Sequence, residues 1–79
     1  MKNITGRQLR MARVSMKLRV DDLSKKTGVP WARVQLLERD DKELSDNEKV
    51  QKIIKFFEDN KVVFEEGNEE YLPFIRIKK

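Results

Sequence analysis

The chain has 79 residues, 18 Lys/Arg against 14 Asp/Glu for a net charge of +4, 38% hydrophobic residues, and neither cysteine nor histidine. This length suits one domain, residues 1–79, with a thin core, because a chain so short buries only about 60% of the surface its unfolded form exposes. The composition excludes disulfide staples, thiolate or imidazole metal centres, and the usual Ser-His-Asp and Cys-His catalytic arrangements, so an enzyme is not expected and neither is a cofactor.

No stretch reaches the ~20 apolar residues of a membrane span, and Met1-Lys2-Asn3 is not followed by the apolar run of a signal peptide. A cytoplasmic protein is expected. The charge is unevenly placed: residues 1–40 hold ten basic and four acidic side chains, and residues 41–79 hold eight and ten. Arg7, Arg10, Arg13 and Lys17 recur at i, i+3, i+6 and i+10, which on a helix gathers them into one stripe suited to a polyanion.

In chain order, Thr5 is a plausible N-cap for a first helix over about 6–17, with Leu9, Ala12 and Met16 as its buried side. A second, short helix fits 20–27, with Asp21 and Asp22 in its first turn, Leu23 as its anchor and Gly28 just past its end. Pro30 sacrifices no needed N–H at a first helical position, so a third helix is expected over 30–39. Two helices joined by a few residues around a glycine make a helix-turn-helix, whose second member can enter the DNA major groove. Ser45 and Glu48 have capping-box spacing for a fourth helix over about 46–59, in which Val50, Ile53, Ile54 and Phe57 form the core stripe. Asn60 is a residue that can end it in the left-handed conformation.

The period then changes to that of strands. Val62-Val63-Phe64 and 71–78, separated by an acidic turn at 65–70, read as a β-hairpin within 62–78, with Pro73 at the start of the second strand or on an edge and Tyr71 covering the hairpin. Ile75 and Ile77 share one face, and Phe74, Arg76 and Lys78 the other. A lone hairpin is marginal in water and has to pack on the helices or on a second chain. The glutamates at 65, 66, 69 and 70 lack the spacing of an oxygen-ligand loop, and a solvated turn is expected there.

The run Leu9-Arg10-Met11-Ala12-Arg13, then Leu23-Ser24-Lys25-Lys26-Thr27-Gly28-Val29, then Val34-Gln35-Leu36-Leu37-Glu38-Arg39, resembles the Cro/phage-repressor (xenobiotic-response-element, XRE) helix-turn-helix family. The segment beyond it resembles a small bacterial subgroup with a C-terminal β-hairpin. The resemblance implies a mainly α (α+β) fold: a four-helix, lambda-repressor-like helix-turn-helix domain closed by the hairpin. It implies a structural ion pair between Arg13 and Glu38, with Arg13 also within reach of phosphate. It further implies base contacts from Trp31, Ala32, Gln35 and Leu36 with Arg33 close by, and phosphate contact at Arg39. Arg19 and Lys42 join the phosphate set. The chain departs from the family at Val20, where a polar residue usually opens the second helix, at Arg19 and Pro30, each usually Ser, at Leu36, often Arg or Gln, and at Asp40, usually Gly. Leu and Val can touch only a thymine methyl, so readout of base edges falls to fewer residues.

These readings give a sequence-specific, double-stranded DNA-binding transcriptional regulator, acting as a homodimer on two half-sites. The alternative is a protein-interaction module, adaptor or antitoxin-like, that docks a protein partner on an apolar surface of Val20, Trp31 and Leu36. Each of those three side chains also has a plainer reading as a packing residue at helical spacing.

Overall fold

The computed structural model describes residues 3–39, 44 and 47–79. Four helices, α1 (Gly6–Ser15), α2 (Val20–Thr27), α3 (Trp31–Glu38) and α4 (Glu48–Asp59), precede an antiparallel pair of strands, β1 (Val62–Glu65) and β2 (Phe74–Ile77). The architecture is mixed α+β, and the described residues contain no helix long and apolar enough to cross a membrane.

Each helix starts and stops for a local reason. Thr5 caps α1: its hydroxyl accepts from the Gln8 N–H at 3.1 Å, and the Gln8 side-chain oxygen accepts from the Thr5 N–H at 2.9 Å, a complete capping box. The helix stops at Ser15 instead of continuing to 17, because Lys17 takes a left-handed conformation (φ +58°) that no helix accommodates. At α2 the Asp22 carboxylate accepts from the Arg19 N–H at 2.9 Å, while Gly28 ends the helix at φ +76°. Pro30 stands one residue outside α3, as its N-cap with an extended ψ of 141°, instead of inside its first turn.

The fourth helix also begins later than its sequence pattern predicts. Asn47 is the N-cap, with its side-chain oxygen accepting from the Val50 N–H at 3.0 Å, which makes Glu48 the first helical residue and rules it out as the reciprocal member of a box. Ser45, the expected cap, lies outside the described residues, as does Lys42. At the other end Asn60 stays at negative φ and donates its side-chain amide to the Phe56 carbonyl at 2.8 Å. The left-handed turn falls on Lys61 (φ +71°), so the reversal comes one residue late.

The core is a single cluster. Leu9 and Ala12 of α1, Leu23 of α2, Val34 of α3, Ile53 and Phe57 of α4, and Val62 of β1 are all essentially inaccessible to solvent. The apolar stripe of α4 buries Val50, Ile53, Ile54 and Phe57, as its 3.6-residue spacing dictates. Phe57 meets Phe56 and Phe64 edge-on, with ring centroids 5.1 and 6.0 Å apart.

The hairpin pairs Val62 with Ile77, Val63 with Arg76, Phe64 with Ile75 and Glu65 with Phe74. Arg76 reaches diagonally to Glu65, donating Nη2 to its carboxylate at 2.8 Å and Nε at 3.1 Å. The second strand is shorter than expected: Pro73 directly precedes it, and Tyr71 and Leu72 stay in the connecting loop with exposed side chains. Tyr71 therefore does not cover the hairpin. The loop is ordered by Asn68, whose side-chain oxygen accepts from the N–H groups of Glu70 and Tyr71 and whose own N–H donates to the Tyr71 carbonyl at 2.8 Å. Gly67 is required there, since a Cβ would stand 2.7 Å from the Pro73 nitrogen and closer still to the Tyr71 carbonyl oxygen.

Gln8 ties the two ends of the chain together. Buried to 3% exposure, it donates its side-chain amide to the carbonyls of Glu65 and Phe74, each at 2.9 Å, while its oxygen completes the α1 cap. One side chain thereby fixes the start of α1 against the loop end of the hairpin.

Candidate nucleic-acid interface

Two short helices, α2 and α3, are joined by Gly28-Val29-Pro30, and side-chain hydroxyls stitch the junction. Ser24 donates to the Val29 carbonyl at 2.6 Å, Thr27 donates to the Leu23 carbonyl at 2.8 Å, and the Gly28 N–H donates to the Ser24 carbonyl at 2.9 Å. Val29 is buried beneath them. The angle between the helices is thus set by a positive-φ glycine, one apolar plug and three hydrogen bonds, leaving the outer face of α3 as a rigid surface.

A second brace comes from α1. Arg13 donates Nε to one oxygen of Glu38 at 2.7 Å, Nη2 to the other at 2.9 Å, and Nη1 to the Leu18 carbonyl at 2.8 Å. This is the two-pronged geometry that a guanidinium and a carboxylate share, and both side chains are largely buried. Hydrogen bonding to Glu38 raises the Arg13 pKa above its ordinary value, against the opposing effect of burial. The ion pair implied by the family resemblance is therefore present, and three of the five guanidinium N–H donors of Arg13 bond within the fold, so the side chain is held as a brace between α1 and α3.

The α3 residues then sort by helical angle. Val34 and Glu38 point into the protein, and Ala32, Leu36 and Arg39 at i, i+4 and i+7 form the outward stripe. Arg33 lies on one flank of that stripe and half-buried Gln35 on the other, while Trp31 stands at the N-terminal end. Trp31 is 49% exposed and Leu36 55%, large values for side chains of this size on a small domain.

Gln35 faces a shallow groove between α1 and the starts of α2 and the end of α3, lined by Arg10, Arg13, Val20, Gln35, Glu38 and Arg39. Since Glu38 is neutralised by Arg13, the remaining charges on the groove are those of Arg10 and Arg39. Among the described residues, Arg10, Arg33, Arg39 and Lys26 make no ion pair, whereas Lys25 pairs with Asp21 at 3.4 Å and Arg19 lies 3.6 Å from Asp22. Arg10 belongs to the site although residue-by-residue family matching passes it by. Its signal in the sequence is its i, i+3 spacing to Arg13, which places it one turn away on the same stripe.

Val20 departs from the outward position expected of it. It is half-buried, packs against the core and contributes only an edge to the groove. The apolar surface expected from Val20, Trp31 and Leu36 accordingly reduces to Trp31 and Leu36. Lys42, the last of the expected phosphate contacts, is outside the described residues. Among the described residues no group of three or more Asp or Glu side chains is arranged to hold a metal ion.

No family model, no curated protein and no solved structure matches the chain.

Proposed function

We propose that the protein is a double-stranded DNA-binding regulator of the Cro/phage-repressor kind, with α2 and α3 acting as a helix-turn-helix in a lambda-repressor-like domain. The single observation that carries this reading is the outer surface of α3: a stripe of exposed and half-exposed side chains with arginines unengaged by other described residues, held rigid by the Arg13–Glu38 brace and bordered by Arg10. Such a helix fits the major groove. Arg33 and Gln35 supply the base-edge hydrogen bonds, and Trp31, Ala32 and Leu36 supply van der Waals contact with thymine methyls. Arg10, Arg19 and Arg39 contact phosphate, and Arg13 positions α3 through Glu38. The regulator works as a homodimer on two half-sites one helical turn apart.

Fluorescence anisotropy against a random duplex pool and against the gene's own upstream region, at several salt concentrations, tests the reading. Each phosphate contact contributes about −0.9 to the slope of log K against log salt, so Arg39→Ala should flatten the slope by about one contact on every sequence. Arg33→Ala should instead change which sequences are preferred. Salt-independent, weak binding by the parent chain, or unaltered binding by both variants, rejects it.

One observation favours a second reading. Trp31, at the N-terminal end of α3, and Leu36, on its outward stripe, are both large apolar side chains exposed to solvent, and the adaptor or antitoxin-like alternative uses them as docking residues. A stoichiometric protein complex that Trp31→Ala abolishes, formed by a chain that does not bind duplex DNA, selects this alternative.

A further inference from the structure

The inner face of the hairpin is only half covered. Val62 and Ile77 are cross-strand partners on that face, yet Val62 is 1% exposed and Ile77 58%. The core therefore reaches β1 and Ile75 of β2 but leaves Ile77 uncovered. Beside the uncovered half lies an apolar groove in which Met11 and Val14 of α1 meet Ile75, with Arg10 and Ser15 at its rim.

The same strand has an open backbone edge. The Lys78 N–H donates to the Lys61 carbonyl at 2.8 Å, and with the contiguous register this makes 61/78, 63/76 and 65/74 the hydrogen-bonded pairs of the ladder. By alternation, the N–H and C=O groups of Ile75 and Ile77 point away from β1. The sheet has two strands, and no described residue bonds to those four groups.

We infer that β2 pairs antiparallel with β2 of a second copy of this chain, forming a four-stranded sheet in which Ile77 of each copy enters the Met11–Val14–Ile75 groove of the other. The edge is complementary to itself. With the two-fold axis at Arg76, Ile75 opposes the partner's Ile77, and all four outward groups of each strand find partners in four hydrogen bonds. Shifting the axis to residue 75 sets Ile77 opposite Pro73, which has no N–H to give, so the Ile77 carbonyl is left without a partner. In the favoured register Ile75 and the partner's Ile77 stand side by side on the inner face, next to Met11 and Val14, where an apolar side chain is lacking. Arg76 then faces its own copy. Like charges directly opposed across strands repel, but each Arg76 is already neutralised by the two bonds it makes to Glu65. This assigns a surface to the homodimer of the preceding section, and it is tested without DNA, so its failure leaves the reading of α3 standing.

The test is sedimentation equilibrium of the full chain over a wide concentration range, with amide hydrogen exchange read residue by residue. Self-association is expected, with the Ile75 and Ile77 amides protected at high concentration and fast-exchanging on dilution, while Arg76 and Lys78 stay protected in both. Ile77→Lys should raise the dimer dissociation constant by roughly 100-fold, since two Ile side chains leave the interface per dimer. Ile77→Pro removes the outward N–H together with the apolar side chain, while the ladder donors Arg76 and Lys78 stay in place, and should give a folded monomer, with folding checked by circular dichroism. Glu65→Gln should weaken association most at low salt. A chain that stays monomeric at all concentrations overturns the inference. So does a dimer that survives Ile77→Lys, or one in which the Ile75 and Ile77 amides remain unprotected.

Discussion

Removing the Arg13 side of the α1–α3 brace is the most informative perturbation of this fold. Arg13→Met keeps the volume of the aliphatic stem and deletes the guanidinium, leaving the Glu38 carboxylate at 8% side-chain exposure without its two donors and the Leu18 carbonyl without its third. Breaking a buried pair from one side costs about 3–5 kcal/mol, and the residual 16% exposure of the Arg13 side chain places this case at the lower end, about 3 kcal/mol. A domain of this length holds roughly 4–12 kcal/mol of stability in all, so the loss is a large share of it. With a urea dependence of about 1 kcal/mol per molar for a small domain, the unfolding midpoint followed by circular dichroism should fall by about 3 M. The double variant Arg13→Met/Glu38→Leu removes both charges together and should recover most of the loss, to within about 1 kcal/mol of the parent. A single variant that costs under about 1 kcal/mol, the range of an exposed pair, would refute the argument that burial makes this brace strong, and so would a double variant as damaged as the single one.

Three further outcomes follow from named contacts. Gln8→Leu strands the Thr5 N–H and the carbonyls it now serves at the hairpin, and should cost about 2 kcal/mol in chemical denaturation, with faster amide exchange at Thr5 than elsewhere in α1. Asp22 has its pKa held below the ordinary carboxylate value of 3.8, chiefly by the hydrogen bond from the Arg19 N–H. Its folded pKa lies below its unfolded one, so its contribution to the α2 cap is complete above pH 3.8 and fades as pH falls through the folded value. A carboxyl NMR titration finding Asp22 at or above 3.8 would contradict this cap. Trp31 is the chain's one tryptophan and stands half-exposed, so acrylamide should quench its fluorescence readily in the free protein and less in the presence of cognate duplex. Quenching unaffected by saturating DNA would remove Trp31 from the interface.

The sequence alone determined the helices and their order, because each carries a local cause. Thr5 and Gly28 are terminators whose hydrogen bonds and φ are satisfied within a few residues, and the 3.6-residue stripe of Val50, Ile53, Ile54 and Phe57 has one face to bury whatever it meets. It was less exact where several residues could serve the same local purpose. Asn47 caps α4 because its side-chain oxygen serves the Val50 N–H of a helix that begins at Glu48, and Asn is as good a cap as Ser. Lys61 took the left-handed turn because the direction of β1 after α4 fixes which residue must reverse, and intrinsic preference for Asn is smaller than that constraint.

What only the tertiary structure decided are the matters that depend on distant neighbours. Nothing local marks Gln8 as the link between α1 and the hairpin, since its partners lie 57 and 66 residues away. Arg13, Arg10 and Arg39 read alike as basic residues, and it is the meeting of α1 with α3 that turns the first inward onto Glu38 and leaves the other two on the groove. Val20 and Leu36 are equally apolar in sequence, yet one packs against the core and the other faces solvent. Periodicity tells which residues share a face of a helix, and only the packing of that helix against the rest of the chain tells which face is turned to water.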